Sequence, residues 1–358
     1  MHPACRFGHL QVIESLLQKS TSPVDVDAGN DGQATPFYIA CQEGHVDVVS
    51  LLLVDKRIDV NKRARTGATP LHIACERGHT EVVSVLLADQ RIDVNTPDHN
   101  GATPFFIACQ QGHKEVVSML MADKRVDVNY PLRTGTSPFK VTCSRGHQDL
   151  IWQLLNDERV DTAKPDSFQC TPLWMASQNG RLLAAQLILI SGREVDTKTK
   201  SIAGDSPWNN KTAAEIAHRQ GVRDKLASET EEDFTRRKQN GHLIASLIAS
   251  FDLDPVATRQ QLRELPGVRD FISDLFALVI FLCDDLLTEG AESSPSSSSA
   301  FNNNKAARFF QVAQLLPMEL QMALCNRVFG SCKDIIHTKH SEPAFKNLGK
   351  LLARAESL

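Results

Sequence analysis

In this 358-residue chain, cysteine and histidine side chains are spaced in a way that could bind a metal ion. Cys325, Cys332, His337 and His340 lie within 16 residues of one another, and thiolate and imidazole are the usual ligands of zinc. Paired zinc ligands are normally about two to five residues apart on both sides of a site, and this segment does not follow that pattern. We therefore interpret its cysteines as core residues of helices and predict no metal site.

A second set of histidines recurs at a fixed step of 34 residues, each directly after a glycine: His45, His79, His113 and His147. Such a row could hold a metal or relay protons, but a histidine at a turn can also hydrogen-bond the backbone of the adjacent loop, and we favour this structural role. The sequence has no glycine-rich phosphate loop, no His-Glu-x-x-His pattern and no nucleophile elbow. We predict that the protein is not an enzyme and uses no cofactor; the alternative is an uncharacterised enzyme in the C-terminal third.

The histidines belong to a repeat that begins with a Thr-Pro or Ser-Pro pair. The pair returns at Thr35-Pro36, Thr69-Pro70, Thr103-Pro104, Ser137-Pro138 and Thr171-Pro172. Proline suits the first turn of a helix, threonine before it is a good N-cap, and the glycine before each histidine ends that helix. A second helix follows, whose apolar residues form one stripe, as in Val82, Val83, Leu86 and Leu87. A fixed period of this size predicts a stacked solenoid with a long surface for a partner.

A polar stretch ending in Asp-Val-Asn, with a glycine turn after it, separates the units and predicts an extended finger. Together these motifs resemble the ankyrin repeat family over about the first 190 residues. The resemblance implies an all-α solenoid of helix-turn-helix units with short β-hairpin fingers, followed here by a helical C-terminal domain. It also implies that the protein is a binding module or scaffold for another protein.

Two features depart from the family pattern. The step is one residue longer than the usual ankyrin repeat of about 33, and the extra residue lies in the segment Asp55-Lys56-Arg57-Ile58. The family's histidine after Thr-Pro-Leu is present at His72, where we expect its hydrogen bond to threonine. The other units carry different residues at this position: Tyr38, Phe106, Lys140 and Trp174. The aromatic members could be binding anchors, but we favour packing against the neighbouring finger.

The loss of the repeat divides the chain. Residues 1–192 are predicted to form the array, with five units of which the first is truncated. Because Met1 aligns inside the first helix of a unit, we expect either that the natural protein starts upstream or that something covers this end. Residues 193–228 are predicted to form an insertion loop and a degenerate capping repeat whose second helix lacks the apolar stripe.

The remainder is predicted to be helical with one interruption. Residues 229–290 form a helical region, 291–304 a Ser/Asn-rich flexible linker, and 305–358 a helical segment. Asp254-Pro255 is expected to open a helix, with Asp254 as its cap.

Composition limits the class of partner. A net charge of −4 and a pI near 6.3 carry no nucleic-acid signature, and the most apolar run, 275–283, is too short to span a bilayer. Five of the nine cysteines occupy the same repeat position, too far apart for disulfides between stacked helices. We therefore expect a protein partner, no nucleic acid or membrane, and a cytoplasmic location, with the nucleus as the alternative. The oligomeric state is left open.

The resemblance implies that partners bind on the concave side, through finger tips and the ends of the first helices. The partner-binding candidates at these positions are Arg65, Thr66, Glu76, Arg77, His99, Asn100, Gln110, Gln111, Arg133, Ser144, Arg145, Phe168 and Gln178. We expect their arginines to form a basic strip that favours an acidic segment, since guanidinium pairs well with carboxylate.

The segment from Leu316 to Leu320, Leu-Pro-Met-Glu-Leu, opens a predicted apolar helix. It resembles the F-box and the similar element that follows ankyrin arrays in poxvirus proteins, although the downstream tryptophan common in F-boxes is absent. The resemblance implies a substrate adaptor that docks on a cullin-type ubiquitin ligase. The residues that it assigns to this contact are Leu316, Pro317, Leu320, Leu324 and Phe329. The alternative is a small helical domain, formed with residues 231–290, that packs on the solenoid or on another chain.

Overall fold

The computed structural model describes residues 1–18, 25–202, 204, 206–225, 228–265 and 268. These residues are helical and contain no strand. The first helices are α1 (His2–Arg6), α2 (Leu10–Gln18), α3 (Pro36–Glu43), α4 (Val46–Val54), α5 (Pro70–Arg77), α6 (Thr80–Ala88), α7 (Pro104–Gln111) and α8 (Lys114–Ala122). They are followed by α9 (Pro138–Arg145), α10 (Gln148–Leu155), α11 (Pro172–Gln178), α12 (Leu182–Ile190), α13 (Ala213–Val222), α14 (Glu231–Leu253) and α15 (Pro255–Glu264).

The chain up to α12 folds as helix pairs repeated every 34 residues. The described residues contain six such pairs before residue 193, one more than the five units expected. The difference arises because the truncated pair α1/α2 comes in addition to the five pairs that begin with Thr-Pro or Ser-Pro. Each first helix packs on the next, from α1 to α3 and onward to α11 and α13, and the second helices form a parallel row. This arrangement confirms the predicted solenoid.

The pair α5/α6 shows why the sequence folds in this way. Thr69 precedes α5 with extended backbone and accepts a hydrogen bond from the backbone N–H of His72, and Pro70 occupies the first turn, where a missing N–H has no cost. Gly78 ends the helix in the left-handed conformation, with φ 72°. In α6, Val82, Val83 and Leu86 are fully buried. The apolar stripe of the second helix therefore forms the core between the two rows.

The fingers are tight turns. The N–H of Ala64 donates to the carbonyl of Ala68 (2.9 Å), and that of Gly67 donates to Ala64 (2.8 Å). Within the described residues the expected β-hairpins do not form strands, because only a few backbone hydrogen bonds join the two sides of each finger. The next backbone hydrogen bond goes to the neighbouring finger: the N–H of His99 donates to the carbonyl of Thr66 (3.1 Å). The finger tips are thus joined in a row.

The end of the array differs from the prediction. Helix α14, rather than a segment before residue 228, is the second helix of the last unit: it packs along α13 and also contacts α12. The expected apolar stripe lies in α14, where Ile244 and Ile248 are fully buried. The boundary predicted at 228 therefore separates two helices that pack together. The stripe is displaced because the connection between α13 and α14, from Val222 to Glu231, is longer than that between α5 and α6, from Arg77 to Thr80.

Helix α15 begins as expected. The Asp254 carboxylate accepts hydrogen bonds from the N–H groups of Val256 and Ala257 (both 3.0 Å). Helix α15 packs on α12 and α14. The remainder of the 229–290 region, the linker 291–304 and the segment 305–358 lie outside the described residues. So do the cysteine and histidine cluster at 325–340 and the predicted ligase-adaptor residues.

Candidate protein-interaction surface

The histidine row links each first helix to the one before it. Nε2 of His79 is 2.9 Å from the carbonyl oxygen of Gln42, and His113 contacts the carbonyl of Glu76 at 2.9 Å. His45 and His147 make the same contact at 2.9 and 3.0 Å. A Cβ at Gly78 would lie 2.6 Å from Nδ1 of His113, so the glycine serves the left-handed turn and also leaves room for the ring. The structural role predicted for this row is confirmed.

A second row of contacts joins the polar stretches between units. Nδ2 of Asn61 donates to the carbonyl of Arg91 (2.7 Å), and Oδ1 of Asn61 accepts from the N–H of Asp93 (2.9 Å). Asn95 and Asn129 repeat both contacts one and two units later. Each asparagine thus supplies both a donor and an acceptor to the backbone of the next unit.

The extra residue of the 34-residue step belongs to a third row, the arginine clamps Arg91, Arg125 and Arg159. Nη2 of Arg125 donates to the carbonyl of Leu87, in the last turn of the preceding α6, at 2.8 Å, and pairs with Asp123 at 2.6 Å. Arg91 and Arg159 make equivalent contacts with the carbonyls of α4 and α8. The hydrogen bond from the Arg125 side chain is the main cause that lowers the pKa of Asp123. Each clamp satisfies a helix-end carbonyl that lacks a partner within its helix.

The sequence prediction missed these clamps. The available signal was an Asp-x-Arg pattern that occurs four times at the 34-residue step, beginning at Asp55, Asp89, Asp123 and Asp157.

The third position of α3, α5, α7, α9 and α11 holds a buried side chain, and those of α5, α9 and α11 contact a polar group of the next finger. His72 keeps the family's arrangement: Nδ1 accepts from the N–H of Thr69 (3.0 Å) and Nε2 lies 2.9 Å from the carbonyl of Ala102. Burial lowers the pKa of His72. At the same position, Nε1 of Trp174 donates to the carbonyl of Lys211 (3.0 Å).

Tyr38, Phe106 and Trp174 are between 2% and 8% exposed. They therefore pack against neighbouring units, as favoured, and cannot serve as binding anchors on the surface.

Lys140 takes this position in the fifth pair and forms a buried ion pair. Its ammonium group contacts the carboxylate of Asp166 in the next finger, and the two side chains are only 1% and 5% exposed. The other carboxylate oxygen of Asp166 accepts from the N–H groups of Phe168 and Cys170, both at 2.9 Å. The charges are buried but fully partnered, as such groups must be. Sequence reasoning did not anticipate this pair.

The repeated cysteines are free buried thiols, as predicted: Cys5, Cys41, Cys75, Cys109 and Cys143. Burial raises the pKa of Cys5 to about 11 and that of Cys109 to about 12. A thiol of such high pKa is a poor nucleophile, since the thiolate is the reactive form. Among the described residues, no three His, Cys, Asp or Glu side chains converge as a metal site, and no helix combines the length and apolarity needed to cross a membrane.

The predicted partner-binding residues all reach the surface, although not equally. The exposed members are Arg65, Thr66, Glu76, Arg77, His99, Asn100, Gln111, Arg133, Arg145 and Phe168, whereas Gln110, Ser144 and Gln178 are half-buried. Ser144 is also engaged within the array, because its Oγ accepts from Nδ2 of Asn179 (3.0 Å). The finger-tip members lie on adjoining fingers, and the helix-end members lie on adjoining first helices.

The family comparison agrees with this geometry. The family model described as ankyrin repeats (3 copies) matches residues 1–64 and 58–132. The chain carries ankyrin repeats. No curated protein matches the sequence significantly.

Two solved structures share the ankyrin fold of this chain. One is the ankyrin repeat domain of human ASB11, at 23% identity and a TM-score of 0.51, covering 68% of this chain and 96% of that one. The other is the ankyrin repeat domain of Bcl-3, described as a unique member of the IkappaB protein family, at 22% identity and a TM-score of 0.52, covering 60% of this chain and 92% of that one. At these identities the likeness concerns the fold.

Three of the candidate arginines, Arg77, Arg133 and Arg145, are exposed and are called the concave arginines here, after the side on which the family resemblance is expected to place them. Within the described residues, none of the three guanidinium groups has a hydrogen bond or an ion pair. Arg65 differs, because its guanidinium donates to the carbonyl of Asp31. The expected basic strip is also discontinuous: α7 lies between α5 and α9, so the helix ends at Arg77 and Arg145 are separated by that of Gln111.

Proposed function

We propose that this protein binds another protein through the concave surface formed by its finger tips and by the ends of α3, α5, α7, α9 and α11. Ankyrin repeats are protein–protein interaction modules, and ten of the thirteen candidate residues at these positions are exposed, which supports the proposal. The single observation that carries the proposal is the contrast among arginines. The clamps are used in holding units together, whereas the concave arginines have no structural task in the described part of the chain.

The chemistry of the concave arginines favours a carboxylate-bearing partner. A guanidinium group offers five donors in a planar fork that matches a carboxylate. Exposed pairs contribute about 0–1 kcal/mol each, so we expect several contacts along the row rather than one dominant ion pair. A single acidic segment laid across the units would supply them.

The test is affinity capture with the full chain followed by measurement of the captured partner's affinity. Arg77→Ala with Arg145→Ala should weaken binding while the circular dichroism spectrum and melting temperature stay unchanged. Lys56→Ala with Lys124→Ala is the matched control, because it removes the same charge from two exposed side chains outside the concave row. Equal affinity for the wild type and the arginine double variant would contradict the role of these residues.

A second candidate is a substrate adaptor of a cullin-type ubiquitin ligase. The observation that favours it is the Leu-Pro-x-Glu-Leu sequence from Leu316 to Leu320, which lies outside the described residues. In this case the array would hold the target and the C-terminal segment the ligase. Co-purification with a ligase adaptor that is lost on Leu320→Glu would support it over a plain scaffold; unchanged co-purification would contradict it.

Two further expectations stay predictions. The absence of a catalytic role can be tested only with defined substrates. The location, cytoplasmic with the nucleus as the alternative, is supported by five buried repeat cysteines that are free thiols, as a reducing compartment requires. Imaging of the tagged full chain would decide it.

A further inference from the structure

The finger tips change character at one end of the array. Thr66, Asn100 and Thr134 occupy one repeat position on successive fingers, and Phe168 occupies it on the next. Phe168 is 50% exposed. The finger after it presents Ile202, which is 61% exposed. Polar tips therefore give way to two bulky apolar ones, here called the apolar finger pair, Phe168 and Ile202.

These two residues lie side by side. The N–H of Ile202 donates to the carbonyl of Phe168 at 2.7 Å, which continues the row of bonds that joins the earlier fingers. An exposed apolar residue on its own is common and needs no explanation. Val54, for example, is 79% exposed at the end of a second helix. Two neighbours on adjoining tips form a larger apolar surface than either alone.

The turn itself does not need an apolar side chain. The carboxylate of Asp166 shapes the finger by accepting from the N–H groups of Phe168 and Cys170. The same turn at Asp98 is made in the same way, with Asn100 at the position of Phe168. The turn therefore uses the backbone of Phe168 and does not need its phenyl ring.

Unpaired positive charge adjoins this apolar pair. The N–H of Ser167 donates to the carbonyl of Thr134 at 3.0 Å, which places the finger of Arg133 next to that of Phe168. The apolar pair thus adjoins the finger of Arg133, whose guanidinium group has no hydrogen bond or ion pair among the described residues.

We infer that the partner segment is extended, with a bulky apolar residue on Phe168 and Ile202 and an acidic residue over Arg133. This inference rests on the proposed function and adds the chemistry and order of the ligand. Neighbouring units lie about 8–10 Å apart, and an extended chain advances about 3.3 Å per residue. The apolar and acidic residues of the ligand should therefore be about three positions apart.

A random 12-residue peptide library displayed on phage, panned against the full-length protein, tests this inference. The selected peptides should be enriched in Asp or Glu about three positions from an aromatic or branched apolar residue. Synthetic copies should then be measured by fluorescence polarisation. Phe168→Ser with Ile202→Ser should raise the Kd at least about tenfold. The arginine variant, Arg133→Ala, should raise it about threefold, because it removes one exposed ion pair.

Two matched variants control for surface changes elsewhere. Val12→Ser with Val54→Ser removes two exposed apolar side chains away from the finger tips, and Lys56→Ala with Lys124→Ala removes two exposed charges. Both should leave the Kd unchanged.

The outcomes separate this inference from the proposed function. The selected peptides could bind the arginine variant more weakly than the wild type but bind the Phe168/Ile202 variant equally well. This result would overturn the inference and leave the proposed function standing. Failure to select any peptide, or indifference to both variants, would overturn both. Displacement of the peptides by a single-stranded oligonucleotide would identify the surface as a nucleic-acid site and overturn both as well.

Discussion

On the loop side of the array, the clamps Arg91, Arg125 and Arg159 each pair with the aspartate two residues earlier and reach a carbonyl of the preceding unit. On the concave side, Arg77, Arg133 and Arg145 are exposed and have no such contact within the described residues. The clamps share one repeat position, whereas the concave arginines occupy two positions that other units fill with different residues, such as Gln111 and His99. All of these arginines have the same side-chain chemistry. Their surroundings therefore decide what they do: a clamp stabilises the fold, and a concave arginine is left for a ligand.

The largest effect is expected at the buried ion pair between Lys140 and Asp166, which links two units. Lys140→Ala should destabilise the full chain by about 3–5 kcal/mol, because it leaves the carboxylate of Asp166 buried without its counter-charge. Urea unfolding measures this, and the exposed Lys124→Ala serves as control. A loss as small as that of the control would show that the carboxylate gains another partner or water.

Truncation of the shared core should have the next largest effect. Leu86→Ala should lower the free energy of unfolding by about 2–5 kcal/mol, since the side chain is fully buried and leaves a cavity. Leu87→Ala, at a half-buried neighbour, should lose less. Equal losses in the two urea curves would contradict the assignment of the apolar stripe.

A direct comparison of the two arginine groups comes third. Arg125→Ala should reduce the free energy of unfolding by about 1 kcal/mol, the net contribution of a typical hydrogen bond, whereas Arg133→Ala should change it by less than about 0.5 kcal/mol. Both variants lose one positive charge. Equal shifts of the denaturant midpoint in Arg125→Ala and Arg133→Ala would contradict the distinction between clamps and concave arginines.

The clamps also predict a pH dependence. The hydrogen bonds from their arginines hold the pKa values of Asp89 and Asp123 below the usual range. A lowered folded-state pKa gives stability that is fully present above the unfolded-state value of about 3.9 and is lost as the pH falls through the folded-state value. The stability gap between the wild type and Arg91→Ala/Arg125→Ala should therefore be constant from pH 7 to 5 and narrow towards pH 3. A stability difference that does not change with pH would show that the aspartates do not contribute to the stabilisation by the clamps.

The smallest stability effect is expected for Arg77→Ala with Arg145→Ala. Neither guanidinium contacts the described part of the chain, so the change should stay within about 0.5 kcal/mol. Thermal unfolding by circular dichroism, run beside the Lys56→Ala/Lys124→Ala control, checks it. A clear loss would mean that the concave arginines stabilise the array after all.

The elements that local sequence predicts are those that each unit forms by itself. Threonine caps, first-turn prolines, left-handed glycines and the stripe around Leu86 depend on residues a few positions apart, so the pattern predicts them directly. The exposure of the concave positions followed from the family resemblance. Whether these positions bind a partner stays a prediction.

The features that were missed depend on residues from different units. Lys140 and Asp166 are 26 residues apart, and their contact becomes visible only when two units stack. The role of α14 was missed because the connection between α13, which ends at Val222, and α14, which begins at Glu231, is longer than in the earlier pairs and moves the apolar stripe out of its repeat position. Arg125 was overlooked although its pattern repeats, because its carbonyl partner, Leu87, lies 38 residues earlier.

The pair formed by Lys140 and Asp166 makes one junction of the array unlike the rest. At the other junctions, histidine, asparagine and arginine side chains contact backbone carbonyl oxygens. Every unit has such carbonyl groups, so one unit can replace another at these junctions. The fifth pair, α9/α10, cannot be placed before a finger that lacks an aspartate at the position of Asp166, because Lys140 would then be buried without a counter-charge. In any shuffled or lengthened version of this chain, residues 138–178 should therefore be inherited as a single block.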